Sequence, residues 1–219
     1  ISSAYLRLAP MFAGLEMRAV ADLNFEAAEE KAEEFGVDAR SVEALLGSDD
    51  IDVIVNLTIP EAHYPVTRQI LEAGKHAYSE KPLVLTMDEG EALRTLAAEQ
   101  TLRIGSAPDT FLGGAHQLAR RAIDDGTVGR ITAGTAHVMS RGMEHWHPNP
   151  DFFFKPGAGP MLDIGPYYVT NLIQLLGPVA RVGALTNASF TERTITSAPR
   201  AGETVPVQTP TNIHALLEF

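Results

Sequence analysis

The run Ile51–Leu57 (IDVIVNL) constrains the fold more than any other stretch of the chain. It is short, β-branched and almost continuously apolar, which marks a strand covered on both faces. Such a strand needs helices above and below it, and the flanking sequence supplies them. Phe25, Ala28, Ala32 and Phe35 fall on one helical face, with Gly36 placed as a C′ stop. Ser41–Leu46 reads as a short helix. Residues 61–73 form another, with Val66, Ile70 and Leu71 inward and Gly74 as its stop.

The same alternation extends in both directions. A short helix opens the chain and ends near Pro10, because an interior proline breaks a helix. Met17–Ala21 reads as a buried strand that ends at Asp22. His76–Ser79 is a short strand. Thr86-Met87-Asp88-Glu89 is a capping box for a helix to about Glu99, and Leu102–Ser106 is a further strand. Strands joined by helical crossovers of this length are parallel, with helices on both faces. The reading is α/β, a doubly wound parallel sheet with its first strand missing.

Beyond Pro108 the rhythm changes. Leu112–Asp124 is helical, Arg130–Met139 is a long strand candidate, and residues 141–160 form a polar loop rich in Pro and Gly. Met161–Leu176 is an apolar helix in which Pro166 lies in the first turn or makes a kink. Val179–Asn187 and Ile213–Phe219 are strands, with a long Thr/Pro-rich connection between them. Residues 109–219 therefore read as an α+β domain with an open, largely antiparallel sheet, following a first domain at 1–108. Both ends look cut, so each domain is expected to be incomplete at its outer terminus.

Seventeen Lys and Arg against 28 Asp and Glu leave a formal charge of −11. That argues against nucleic acid or an anionic membrane surface as a partner. The chain has no Cys, which excludes disulfides and thiolate chemistry and is compatible with the cytoplasm. No apolar run approaches the roughly 20 residues of a membrane helix.

The chemistry-bearing residues gather after predicted strands. Glu80-Lys81-Pro82 follows His76–Ser79 directly. A lysine at a strand's carboxyl end faces the crevice where open α/β sheets bind ligands. Its ammonium can hold a substrate oxygen as a carbonyl becomes an alkoxide. The competing reading is a surface lysine before a helix-starting proline. Asp22 either accepts hydrogen bonds from the ribose hydroxyls of a dinucleotide, favouring NAD over NADP, or caps the next helix. Ser2 falls where backbone N–H groups at a helix start would meet a pyrophosphate. Leu57, Thr58, Ile59 and Pro60 leave a buried strand and could line a nicotinamide, with His63 beginning the next helix.

In the second domain, Asp163 and Tyr167 share a face if the helix is regular there. A phenol close to an ammonium would titrate nearer neutrality and suit proton exchange. The alternative is a packing tyrosine with a satisfied hydroxyl. His145-Trp146-His147 could hold a metal, form a substrate wall with Trp146 stacking on a ring, or be a plain loop. Two histidines without a further His–carboxylate cluster are too few for a metal site, and none is expected.

The strand ending at Asp22, VNLTIPEAH (55–63), AGKHAYSEKPL (73–83), GAGPMLDIGPYY (157–168) and LLGPV (175–179) together resemble the Gfo/Idh/MocA oxidoreductases. The resemblance covers essentially the whole chain. It implies a Rossmann-type N-terminal domain, a C-terminal domain with an open antiparallel sheet, and full-length chains well beyond this one. It also implies NAD(H) or NADP(H) as cofactor and a sugar, polyol or related secondary alcohol as substrate. Relatives commonly form homodimers or homotetramers through the open sheet. The family's lysine maps onto Lys81, its motif carboxylate onto Asp163 and its acid/base position onto Tyr167. Asp109, Phe111, Trp146 and His147 would shape the substrate pocket, and Glu80 and Pro82 flank the lysine beside the cofactor. Lys81 would hold the substrate oxygen and lower the phenol pKa while Tyr167 exchanges the proton. Two rivals share the fold: a glycoside hydrolase that uses tightly held NAD, and a non-catalytic nucleotide or sugar sensor.

Overall fold

A computed structural model of the chain describes residues 1–219, which divide into two compact units, Ile1–Ser106 and Ala107–Phe219.

The first unit alternates helix and strand: α1 (Ser2–Leu8), β1 (Ala19–Val20), α2 (Phe25–Phe35), β2 (Asp38–Ala39), α3 (Val42–Leu46), β3 (Val53–Asn56), α4 (Pro60–Glu72), β4 (His76–Ser79), α5 (Met87–Glu99) and β5 (Ile104–Ser106). All its strand pairs are parallel. β1 pairs with β2, and β3, β4 and β5 form a three-stranded sheet in chain order. Ile51, Ile54, Ile70, Leu71, Ala77, Leu93 and Ala97 make the core. They come from the β3 run, the inward faces of α4 and α5, and the middle of β4. Ile70 and Leu71 are at most 1% exposed. Burying each such side chain contributes about 1.5–3 kcal/mol.

The helix ends follow local chemistry. Gly36 takes a left-handed conformation at φ 68° and closes α2. The capping box of α5 is formed, with Thr86 and Glu89 reciprocally bonded. Gly105 is needed for space, since a Cβ there would lie 2.5 Å from the Tyr78 ring. Register places Asn56 beside Ser79, and Ser79 beside Ser106. The carboxyl ends of all three central strands therefore form one edge, from which the Thr58 loop, the Lys81 turn and the Pro108 segment leave.

The second unit contains α6 (Gly114–Asp124), α7 (Pro160–Asp163), α8 (Gly165–Leu176) and four strands: β6 (Arg181–Asn187), β7 (Glu192–Thr194), β8 (Thr204–Pro206) and β9 (Asn212–Glu218). β6 pairs antiparallel with β9, and β7 antiparallel with β8. A small core of Phe153, Phe154, Ile195 and Val205 lies under the second pair.

Three expectations are corrected here. Arg130–Met139 forms no strand, and its side chains are exposed. β-propensity yields a ladder only where a partner strand is available, and none pairs with this segment. The predicted helix 161–176 is broken at Ile164, with Pro166 in the first turn of α8, where its missing N–H costs nothing. The long connection between the outer strands contains β7 and β8.

Candidate functional site

In the first unit, a polar network lies under the carboxyl edge of the sheet. Asn56 interrupts the apolar run of β3 and is 2% exposed. Its side-chain amide donates to the His63 carbonyl and to Thr67 Oγ1, both at 3.1 Å. Its oxygen accepts from Thr58 Oγ1 at 2.7 Å and from Thr58 N at 3.2 Å. All four hydrogen-bonding positions of this buried amide are filled, as burial requires. The exit loop is thereby held to the end of β3.

The turn after β4 is held residue by residue. Glu80 N donates to the Asn56 carbonyl at 2.9 Å. The Glu80 carboxylate accepts from Tyr5 Oη at 2.9 Å and from Lys81 N at 3.1 Å. The carbonyl of buried Pro82 lies 2.5 Å from His63 Nδ1. Lys81 is half-buried. Ser79 Oγ, just before the turn, is buried and lacks a hydrogen-bond partner.

The predicted cofactor residues fall as follows. Ser2 is the first residue of α1, and the neighbouring Ser3 Oγ accepts from Lys31 Nζ at 3.1 Å. Asp22 is exposed at the exit of β1 and accepts from Asn24 N at 2.8 Å, so it does cap the approach to α2. A carboxylate has further acceptor capacity, so this bond leaves room for a hydroxyl ligand. Leu57 and Pro60 are half-buried, while Thr58 and Ile59 are exposed. His63 needs correction. It is 1% exposed, and its Nε2 lies 3.0 Å from the Thr58 carbonyl while Nδ1 faces Pro82. Both ring nitrogens are turned to the protein's own backbone, so the ring is not presented to a cofactor.

An acidic, exposed position after β1, an exposed apolar residue after β3 and a lysine in the turn after β4 are residue types that fit a dinucleotide at the carboxyl ends of parallel strands.

In the second unit, Asp163 ends α7 and Tyr167 lies in the first turn of α8. The break between these helices removes the regular i, i+4 relation. Both side chains are half-buried. The His145-Trp146-His147 segment is not extended: Met143–His145 is a single 3₁₀ turn. The two imidazoles consequently go to different partners. His145 Nδ1 meets Thr196 Oγ1 at 2.8 Å, and His147 Nδ1 accepts from Asn149 N at 3.0 Å. No group of three or more His, Asp or Glu stands together as a metal site. Trp146 is 65% exposed and meets His147 edge-on at 5.4 Å. Beneath it, buried Glu144 pairs with Arg193, and its carbonyl accepts from Thr196 N and Ser197 N. Asp109 is exposed and Phe111 half-buried on a 3₁₀ turn at the start of this unit.

Tyr5, Asn56 and Glu144 were not among the predicted site residues. Asn56 had a sequence signal, a polar residue in a strand buried on both faces. Tyr5 and Glu144 had none, since each is explained by a partner 75 or about 50 positions away in the chain.

Comparison with known proteins covers both units. Residues 1–107 match a family model described as an oxidoreductase family with an NAD-binding Rossmann fold, and residues 116–219 match the GFO/IDH/MocA C-terminal domain. The dTDP-3,4-didehydro-2,6-dideoxy-alpha-D-glucose 3-reductase of Streptomyces violaceoruber is 32% identical over 186 residues, covering 82% of this chain and 53% of that one. The 1,5-anhydro-D-fructose reductase of Ensifer adhaerens is 31% identical over 132 residues, 59% of this chain and 39% of that one. Levoglucosan dehydrogenase, solved in complex with NADH and levoglucosan, superposes with a TM-score of 0.80 at 24% identity, covering 99% of this chain and 60% of that one. The chain spans about half the length or less of the two curated relatives.

Proposed function

The chain belongs to the GFO/IDH/MocA oxidoreductase family, and from that premise we propose that the whole protein is an NAD-dependent oxidoreductase acting on a sugar, polyol or related secondary alcohol. The observation that carries this reading is the turn after β4. Lys81 leaves the carboxyl edge of a parallel sheet on a main chain bonded at Glu80, Lys81 and Pro82. An ammonium held there is preorganised to stabilise negative charge as it develops on a substrate oxygen.

A bound nicotinamide supplies the hydride acceptor or donor. Ser2, Asp22, the Leu57–Pro60 loop and the Glu80–Pro82 turn are the residues assigned to hold the dinucleotide. The exposed carboxylate of Asp22 favours a ribose hydroxyl over a 2′-phosphate, which supports NAD over NADP. Lys81 holds the reacting oxygen. In the second unit, Tyr167 is the residue assigned to proton exchange and Asp163 the one assigned to orienting the substrate or the lysine. Trp146, presented outward on an anchored 3₁₀ turn, offers an apolar face to a sugar ring, with His147, Asp109 and Phe111 as further substrate contacts.

The same reading proposes a cytoplasmic location, with which the absence of Cys is compatible. No helix is long and apolar enough to cross a membrane. It also makes the protein a homodimer or homotetramer through the β6–β9 sheet, supported by the exposed Leu185 and Leu216.

The test uses the full-length protein. NADH and NADPH are titrated separately by fluorescence, and sugars and polyols are then screened by the absorbance of reduced nicotinamide. Tighter NADH binding with turnover of a sugar or polyol is the expected result. Nucleotide binding without turnover across the panel would favour a sensor, and no nucleotide binding would overturn the reading.

A further inference from the structure

We propose that His63 is a positioning residue that fixes the main chain carrying Lys81, a role that rests on the assignment of Lys81 above. His63 touches two loops that are separated in sequence and adjacent at the sheet edge. Nδ1 lies 2.5 Å from the Pro82 carbonyl and Nε2 lies 3.0 Å from the Thr58 carbonyl. The ring therefore lies between the peptide following Lys81 and the exit loop of β3; a neutral imidazole has a single N–H, and the shorter contact assigns it to Nδ1 and the Pro82 carbonyl, with Nε2 packed against the Thr58 carbonyl.

The ring is itself held. Its backbone carbonyl accepts from Asn56 Nδ2, the same amide that receives Thr58. His63 is 1% exposed and Thr67, one turn later on α4, is fully buried. A side chain fixed by packing and by bonds to its neighbours transmits its position to what it touches.

The opposite flank has a matching restraint. Tyr5 Oη and Lys81 N both donate to the Glu80 carboxylate, and Glu80 N continues the β-ladder to Asn56. Lys81 thus sits between a residue fixed by α1 and β3 and a residue fixed by α4. Its Cα is located by bonds to the residues on either side of it. Misplacement of a reacting group by about 1 Å can cost a hundredfold in rate, so a restraint on this main chain bears on turnover. The Glu80 flank reaches the Thr58 loop through Asn56, whereas the His63 ring touches both segments itself, so it couples two predicted ligand-facing segments.

Two isosteric replacements separate the links, and both are made in the full-length protein. In His63→Asn the amide nitrogen falls where Nδ1 lies and can still donate to Pro82. In His63→Gln it falls where Nε2 lies and reaches Thr58 instead. His63→Leu removes both. The first measurement needs no substrate: amide hydrogen exchange of peptides covering residues 57–61 and 80–84 in the apoprotein. Exchange at 80–84 is expected to speed up in His63→Leu and His63→Gln and to return toward the unmutated rate in His63→Asn. Unchanged exchange in all three variants, or an Asn variant as loose as Leu, overturns the clamp.

The second measurement follows turnover with NAD(H) and levoglucosan, myo-inositol and 1,5-anhydro-D-fructose as probes. The expected split is a fall in kcat of about tenfold in His63→Leu and His63→Gln, with partial recovery in His63→Asn and little change in the NADH dissociation constant. A loss confined to NADH affinity, or loosened exchange with intact kcat, overturns the positioning role. If the unmutated protein turns over none of the probes, the proposed function falls instead, and the exchange measurement alone decides whether the clamp exists.

Discussion

Replacing Lys81 by alanine removes an ammonium while leaving the hydrogen bonds of its turn in place, because these are made by Lys81 N, the Glu80 carboxylate and the Pro82 carbonyl. Loss of one preorganised group that stabilises a developing oxyanion costs about 10²–10³ in kcat. Steady-state kinetics should show that loss, with an NADH dissociation constant moved far less. Unchanged turnover would remove Lys81 from the chemistry. Tyr167→Phe keeps the ring and its packing but removes the exchangeable proton. It should lower kcat and flatten the limb of the pH–rate profile that the phenol governs. A profile matching the unmutated protein would leave Tyr167 a packing residue. The position of Lys81 was legible because it follows a four-residue strand whose boundaries local sequence sets. The role of His63 was not, since nothing near position 63 announces that its ring nitrogens meet carbonyls 5 and 19 residues away.

At the scale of elements, the first unit contains two parallel ladders, β1–β2 and β3–β5, that are tied by charge. Arg40, just beyond β2, bonds Asp50 at 2.7 Å and Asp38 at 2.9 Å, and Arg18, just before β1, reaches Asp50 at 3.4 Å. Asp50 lies in the segment that enters β3. Hydrogen bonding from Arg40 holds its carboxyl well below the usual carboxylate range, with desolvation opposing in part. The folded value is depressed, so this stabilisation is complete above the unfolded value of about 3.9 and fades as pH falls toward the folded value. Asp50→Asn should therefore lower the urea midpoint near neutrality, and the difference from the unmutated protein should shrink as the medium is made strongly acid. A penalty independent of pH would mean that the carboxylate's charge is not what ties the ladders. Helices and parallel strands of this unit were legible from periodicity and caps, because helix and strand periods are local properties. Arg130–Met139 was misread for the complementary reason. Its residues suit a strand, but pairing is a property of the partner. Conversely, β7 and β8 are three residues each, too short for an alternating pattern to register.

For the whole molecule, the open question is what covers the face of the β6–β9 sheet that carries Leu185 and Leu216. Side chains alternate across a sheet, and the register pairs Gly183 with Leu216 and Leu185 with His214. Leu185 and Leu216 therefore lie on one face, at 80% and 83% exposed. Two adjacent leucines left in water on a regular ladder mark a surface that another element covers. The proposed oligomer gives them that cover, and a two-fold contact would use the same patch on both copies. Charged residues at such a contact are strongly unfavourable once desolvated. Leu185→Asp and Leu216→Asp in the full-length protein should each shift the sedimentation profile toward the monomer, and the double variant should do so at higher protein concentration. The substitutions lie outside the predicted cofactor residues, so NADH affinity should persist in the dissociated species. An unchanged oligomer in the double variant would show that this face is covered from within the same chain and that any association uses another surface.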